Sequence, residues 1–297
     1  MYKNFDQMEA AVLASGTRAR IALACAQDPE ALEAVVDARR RGVAEGILIG
    51  DVDSIAAQLA ALGESASDYV LEPEADELEA GRKAVRLVRA GEADIPMKGL
   101  MQTASFMRAI LSKEEGLLPA GGLLSQATVL EWTERDKIAI ISDCAVNISP
   151  NLEQKAKICR NAIDLAHVIG YERPKVGVLS AVEVAKPSIP STMDAKALSE
   201  MDWPDADVGG PFALDIAVDA AAAAKKGVTH PAAGDCDVMI VPDLPAGNIF
   251  TKSLTFFARL RSAGSLNGTT APVVMTSRTD TPEDKYLSIL VAIAKTL

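Results

Sequence analysis

Residues 19–50 read A-R-I-A-L-A-C-A-Q-D-P-E-A-L-E-A-V-V-D-A-R-R-R-G-V-A-E-G-I-L-I-G. Two short apolar runs, Ala19–Cys25 and Gly46–Gly50, flank a stretch that opens on Asp28-Pro29 and keeps helical spacing to about Arg41. Short apolar runs with a helix-length spacer predict β-α-β units and a largely parallel sheet. The pattern repeats outward. A helix is expected from about Val52 to Leu62, a short strand at Asp68–Leu71, a charged amphipathic helix at Glu74–Ala90 and a fourth strand at Ala93–Met97. Gly121–Trp132 and Lys137–Ser142 read as two adjacent strands with a turn at Glu134–Asp136.

A second pass begins near Asp143. Asn151–Ile169 reads as a long helix, with Pro150 placed to begin it. Strand Lys175–Leu179 follows, then a Pro- and Ser-rich loop (Lys186–Thr192) and a helix from about Asp194. Ala206–Gly209 reads as a short strand, Ala213–Lys226 as an alanine-rich helix, Cys236–Val241 as a strand and Ala246–Ser262 as a helix. Pro272–Met275 reads as the last strand, before a helical pattern that runs to the C-terminus. No low-complexity linker divides the passes. The expectation is therefore a two-lobed, three-layer α/β/α protein with largely parallel sheets. The lobes are expected at 1–135 plus 280–297 and at 136–279, with the active-site cleft between them.

Composition bounds the function. The 297 residues carry 30 Lys+Arg against 41 Asp+Glu, a net charge of −11, which argues against nucleic acid or an anionic membrane surface as the main partner. Small anionic ligands remain compatible, because they respond to local donors rather than to the sum. Cys25, Cys144, Cys159 and Cys236 are scattered with no C-x-x-C, and two histidines, His167 and His230, cannot build a His-rich metal site. No apolar run approaches the ~18–20 residues that span a bilayer. A cytoplasmic protein without metal or cofactor is expected.

The chemistry gathers where apolar runs end. After Ala93–Met97 come Lys98, Gln102, Thr103, Ser105 and Arg108; after Lys137–Ser142 comes Asp143–Asn147. After Cys236–Val241 come Asp243, Gly247, Asn248 and Lys252. The richest junction is Val273–Lys285, V-V-M-T-S-R-T-D-T-P-E-D-K, with Ser277, Arg278, Asp280 and Asp284. A parallel sheet sends carboxyl ends to one edge, where ligands collect. Arg278 offers a planar fork that matches a phosphate, and Asp284 a proton acceptor. The competing reading of Asp280–Asp284 is a capped helix start, and it stays open at this point. Cys144 is either a site thiol or a small buried residue. The combined inventory predicts a site for a phosphate or carboxylate anion with an acid–base group beside it. Neither a P-loop nor a dinucleotide G-x-G-x-x-G follows any strand.

These segments together resemble the phosphate acetyltransferase/phosphate butyryltransferase family. The resemblance rests on A-D-I-P-M-K-G-L (93–100), T-A-S-F-M-R-A-I-L (103–111), S-D-C-A-V-N-I-S-P (142–150) and K-V-G-V-L-S-A-V-E (175–183). It continues through G-P-F-A-L-D-I-A-V-D (210–219), V-P-D-L-P-A-G-N-I-F-T-K (241–252), S-R at 277–278 and E-D at 283–284. The L-S-A-V-E form and S-T-M-D-A-K-A-L (191–198) are more similar to the butyryl branch. The resemblance implies a fold like that of isocitrate and isopropylmalate dehydrogenases. It implies reversible transfer of a short acyl group, butyryl or similar, between CoA and phosphate; acetyl transfer and a non-catalytic acyl-phosphate/CoA-binding protein are the alternatives. By the same resemblance Ser277 and Arg278 meet the acyl phosphate and developing oxyanion, and Asp284 is the base toward the CoA thiol. Arg108 falls at the phosphate site, and Lys98, Asn248 and Lys252 lie in motifs lining the cleft; Thr103, Ser105 and Cys144, which stand at the same strand ends, are added as substrate-binding candidates from their positions. Acyl-CoA, phosphate and acyl phosphate are the implied substrates, and a homodimer or larger homo-oligomer the implied assembly.

Overall fold

The computed structural model describes all 297 residues, Met1–Leu297. The chain forms two compact units, each an α/β layer structure. One comprises Phe5–Gly122 with Ala263–Leu297; the other comprises Met1–Asn4 with Leu123–Ser262.

The first unit is built on a parallel sheet of β1 (Ala19–Ala24), β2 (Ala44–Gly50), β3 (Val70–Pro73) and β4 (Ile95–Lys98) in the order β3-β2-β1-β4. Ile21 pairs with both Gly46 of β2 and Ile95 of β4, so β1 is central. Its residues are almost all buried, as expected of a parallel strand covered on both faces. The crossovers carry helices α2 (Pro29–Arg40), α3 (Val52–Ala61) and α4 (Glu77–Arg89). Asp28, Asp51 and Asp76 cap them, each side chain accepting a main-chain N–H three residues on. The helix α1 (Phe5–Ser15) precedes β1, and α5 (Thr103–Ile110) follows β4. The order 3-2-1-4 turns back between β1 and β4, so their carboxyl ends form the topological switch point where open α/β sheets bind ligands. The expected strand Pro272–Met275 is reduced to bridging contacts: Val274 exchanges hydrogen bonds with Pro96 and Lys98 along the β4 edge.

The second unit opens with an antiparallel hairpin, β5 (Ser125–Trp132) and β6 (Lys137–Ser142), in which Ala127 pairs with Ser142 and Trp132 with Lys137. A parallel set continues it as β6-β9-β7-β8, with β7 (Lys175–Leu179), β8 (Asp207–Phe212) and β9 (Val238–Ile240). Its helices are α6 (Leu152–Ile169), α7 (Pro190–Ser199), α8 (Leu214–Val218), α9 (Ala220–Lys225) and α10 (Leu244–Phe256). Strand β10 (Ser262–Asn267) leads back to the first unit, which ends in α11 (Pro282–Ala294).

The unit boundaries differ from the expected ones for a hydrogen-bonding reason. A cut at 135/136 would split the β5–β6 hairpin, so the boundary lies at 122/123 instead. Residues 263–279 belong to the first unit because Val274 pairs along β4 and Thr270 N–H reaches Leu117 O at 2.8 Å. The four polar strand ends consequently divide two and two between separate sheets, rather than lying on one edge.

Candidate active site

In the first unit the site is built around the end of β4. Gly99 N–H donates to Ala24 O at 2.8 Å and Leu100 N–H to Cys25 O at 2.9 Å, closing the β1 and β4 ends together. A Cβ at Gly99 would lie 2.3 Å from Cys25 O, so only glycine permits this approach. Cys25 itself takes a left-handed φ of 54°, an unfavourable choice for a side-chain-bearing residue and one that recurs at functional strand ends. Lys98 is 5% exposed, and its ammonium donates to Gly99 O at 3.3 Å. Burial lowers its pKa; Asp28 pulls the other way, while the nearby charges of Arg278 and Lys285 depress it further.

Arg278 sits in a turn whose geometry is fully specified. Ser277 N–H donates to the Asp280 carboxylate at 2.7 Å, and Asp280 N–H returns to Ser277 O at 3.3 Å. The Ser277 hydroxyl lies 3.1 Å from that of Thr279. Thr281 and Asp284 then form a capping box for α11: Asp284 N–H donates to Thr281 Oγ1 at 3.2 Å, and Asp284 Oδ2 accepts from Thr281 N at 3.0 Å. The same oxygen accepts Thr281 Oγ1–H at 2.7 Å, which leaves Oδ1 without a hydrogen bond. The capping reading of Asp284 is therefore correct, and it occupies one carboxylate oxygen of two.

Thr103, Ser105 and Arg108 lie on α5, with Thr103 and Arg108 exposed and Ser105 half-buried. Gln102 N–H is fixed by Glu77 Oε1 at 2.9 Å, which sets where α5 begins. Lys98, Thr103, Ser105, Arg108, Ser277, Arg278 and Asp284 thus all fall in the first unit.

The second unit holds the remaining predicted residues at the adjacent ends of β6 and β9. Asp143, 2% exposed, collects the main-chain N–H groups of Ala145, Val146 and Asn147 at 3.0–3.1 Å and the Asn147 amide at 2.5 Å. Its carboxylate is satisfied, so it shapes the loop rather than acting as a base. Gly247 brings α10 against this loop, since a Cβ there would lie 2.8 Å from Asp143 O. Asn248 Nδ2 donates to Cys144 O at 3.4 Å, and the Lys252 ammonium lies 5.8 Å from the Phe256 ring centre. Cys144 is corrected by the structure. Its thiol is 2% exposed, donates to Ile141 O at 3.3 Å and packs in the core, and burial with Asp143 nearby pushes its pKa up to about 12. It is a packing group, and only its carbonyl faces a predicted site residue.

Two residues missed by sequence reasoning belong to the first-unit cluster. Asp28 caps α2 and, ahead of Glu77, is the carboxylate that acts most on Lys98. Lys285 donates from its buried ammonium to Ser277 O at 2.7 Å. The signal for Lys285 was available: a cation in the first turn of a helix opposes the macrodipole and requires another reason to stand there.

Residues 74–293 match the family model described as phosphate acetyl/butaryl transferase. The chain belongs to that family. Among curated relatives, a phosphate butyryltransferase of Clostridium acetobutylicum is 41% identical over 296 residues, covering 98% of each chain. A phosphate acetyltransferase of Thermotoga maritima is 39% identical over 284 residues, covering 93% of this chain and 95% of its own. A solved branched-chain phosphotransacylase of Enterococcus faecalis superposes with a TM-score of 0.83 at 31% identity, covering 93% of this chain and 98% of its own. Family membership gives the first-unit cluster a chemical context. Lys98 and Lys285 are buried and donate only to main-chain carbonyls, Lys98 feels the charges of Arg278 and Lys285, and Asp284, with one oxygen free of hydrogen bonds, precedes Lys285 on α11. The butyryl and acetyl relatives lie two percentage points apart, so identity alone does not assign the acyl chain.

Proposed function

We propose that the protein transfers a short-chain acyl group, butyryl or similar, reversibly between CoA and inorganic phosphate. The observation that carries this reading is the cation cluster of Lys98, Arg278 and Lys285 at the switch point of the first-unit sheet, with Asp284 on the same turn. The Lys98 ammonium, buried without a carboxylate in ion-pair contact, is unfavourable unless an anion completes it, and phosphate or acyl phosphate supplies that anion.

The chemistry follows from the residues. Asp284 Oδ1 takes the proton of the CoA thiol, whose pKa resembles that of cysteine at about 8.5. The thiolate attacks the carbonyl carbon of the acyl phosphate, forming the C–S bond. Negative charge on the carbonyl oxygen is met by Arg278 and the Ser277 hydroxyl. The C–O bond to phosphate then breaks, and phosphate leaves with that electron pair onto Lys98 and Arg108. In the other direction phosphate attacks the thioester, and Asp284 returns the proton to the departing thiolate. Asn248 and Lys252 are assigned to substrate binding on their family motifs, and Thr103 and Ser105 on their positions. The reaction needs no metal or cofactor on this account.

Release of CoA from butyryl-CoA, followed with and without added phosphate, tests the reading; release independent of phosphate contradicts it. Butyryl or branched four-carbon chains are expected to outperform acetyl-CoA in kcat/KM. One methylene is worth ~1–3 kcal/mol in an apolar pocket, so a preference of tenfold or more for acetyl-CoA would remove the butyryl assignment and leave the reaction class intact. No helix is long and apolar enough to cross a membrane, and all four cysteines are unpaired, which suits the reducing cytoplasm as the site of action. A homo-oligomer completes the reading: the outward face of α10 exposes Ile249, Phe256 and the adjoining Phe257, a surface that a second copy would cover.

A further inference from the structure

Lys285 occupies a position that two physical rules oppose. It is the fourth residue of α11, where the positive end of the helix dipole disfavours a cation. It is also 2% exposed, and no carboxylate forms an ion pair with its ammonium, which donates instead to Ser277 O at 2.7 Å. That carbonyl already accepts Asp280 N–H, and Ser277 N–H already binds the Asp280 carboxylate. Those two contacts close the turn on itself, and the lysine adds a third that ties Ser277 O to α11. A residue placed unfavourably twice, for a hydrogen bond beyond those two, is explained by where it holds the turn rather than by stability.

We propose that Lys285 is a positioning residue for acyl transfer. Its ammonium fixes the Ser277 main chain, and with it the turn that carries the Ser277 hydroxyl and the Arg278 guanidinium. The inference rests on reading that turn as the acyl-transfer site. Asp284 and Lys285 are adjacent on α11, so one helical turn carries both the proposed base and the anchor of the oxyanion-binding pair.

Lys285→Met keeps the aliphatic length and removes the donor; Lys285→Arg keeps charge and donor. Steady-state kinetics with butyryl-CoA and phosphate, together with melting temperature, separate the outcomes. The expected result is a fall in kcat of about 10²-fold for Lys285→Met, because displacements of about 1 Å in a reacting constellation have effects of that size. KM for butyryl-CoA should change less than threefold and the melting temperature should hold or rise, since a buried charge is removed. Lys285→Arg should recover at least tenfold of the lost rate. A Lys285→Met protein within about threefold of wild-type kcat overturns the inference. So does a parallel collapse of kcat and melting temperature that Lys285→Arg does not reverse, which would mark a structural lysine. A wild-type protein with no phosphate-dependent CoA release would overturn the reading of the site and the inference with it, whereas an active wild type with an active Lys285→Met overturns the inference alone.

Discussion

The proposed mechanism asks two duties of the two Asp284 oxygens: Oδ2 closes the capping box with Thr281, and Oδ1, which has no hydrogen bond, is the proposed proton acceptor. Asparagine keeps a cap acceptor and loses the base, so Asp284→Asn separates the duties. The expected outcome is a loss in kcat of about 10²-fold or more at pH 7, with KM for acyl phosphate and melting temperature little changed. The deficit should shrink as pH approaches the thiol pKa of about 8.5, because hydroxide then supplies the thiolate. An unaltered kcat at pH 7 would return Asp284 to the role of a cap. Arg278 and Arg108 are exposed, so their removal should spare stability. Arg278→Ala and Arg108→Ala are each expected to slow turnover by about 10²–10³, the effect of losing one charge-assisted transition-state contact. Near wild-type kinetics in both would contradict the phosphate assignment. At this scale the sequence revealed residue types and their order, but not which groups are already spent on the fold. Asp143 stands at a strand end just as Lys98 does, and only its four donors show that it is a loop anchor. The Cys144 alternatives were settled by burial, which its immediate neighbours did not encode.

The elements that were legible are those whose pattern is local. β1, α2, α3, β6 and β7 fall within two residues of their expected spans, because apolar period and aspartate caps act within a few residues. The alanine-rich segment broke where expectation ran straight through: Asp219 accepts from Ala221 and Ala222 N–H and restarts the helix, giving α8 and α9. The helix expected to reach Ser262 ends at Phe256, and Arg259 takes a left-handed φ of 55° before β10. β10, S-A-G-S-L-N, has too little apolar content to read as a strand, since its pairing is decided far along the chain. α11, expected only as a helical pattern running to the C-terminus, is buried from Lys285 to Ala294. Its far end yields a pH prediction. Lys295 donates to Leu266 O at 2.7 Å and Asn267 Oδ1 at 3.1 Å, and burial lowers its pKa from 10.5 to about 8. Below the folded pKa both states hold the proton and the full burial penalty opposes folding. Between about 8 and 10.5 the unfolded chain holds a proton that the folded chain has released, so stability rises with pH in that window. Urea melts of wild type and Lys295→Met at pH 7 and pH 10 should therefore show the wild type gaining relative to the variant. A difference independent of pH would show that the ammonium is hydrated.

At the scale of the molecule, the two-unit α/β organisation was readable from strand–helix alternation, but the boundaries were not. The hairpin of β5 and β6 and the return of Val274 to β4 are long-range pairings, and they moved both cuts. The homo-oligomer remains a proposal, and the surface proposed for it is Phe257, 91% exposed, beside Phe256 and Ile249. Sedimentation is expected to show a dimer or larger species that Phe257→Ser weakens; a wild-type monomer would contradict it. The net charge of −11 sets the long-range field, yet the proposed substrates are anions, so the local cations of the first unit must prevail over that field at short range. The account stands or falls on the fate of the acyl group. Phosphorus NMR of a mixture of butyryl-CoA, inorganic phosphate and enzyme observes it directly. The account predicts a butyryl phosphate signal that grows with free CoA, requires added phosphate and is slowed about 10²-fold or more in Arg278→Ala. Formation of butyrate and CoA without butyryl phosphate, or no turnover of butyryl-CoA or acetyl-CoA, would contradict it.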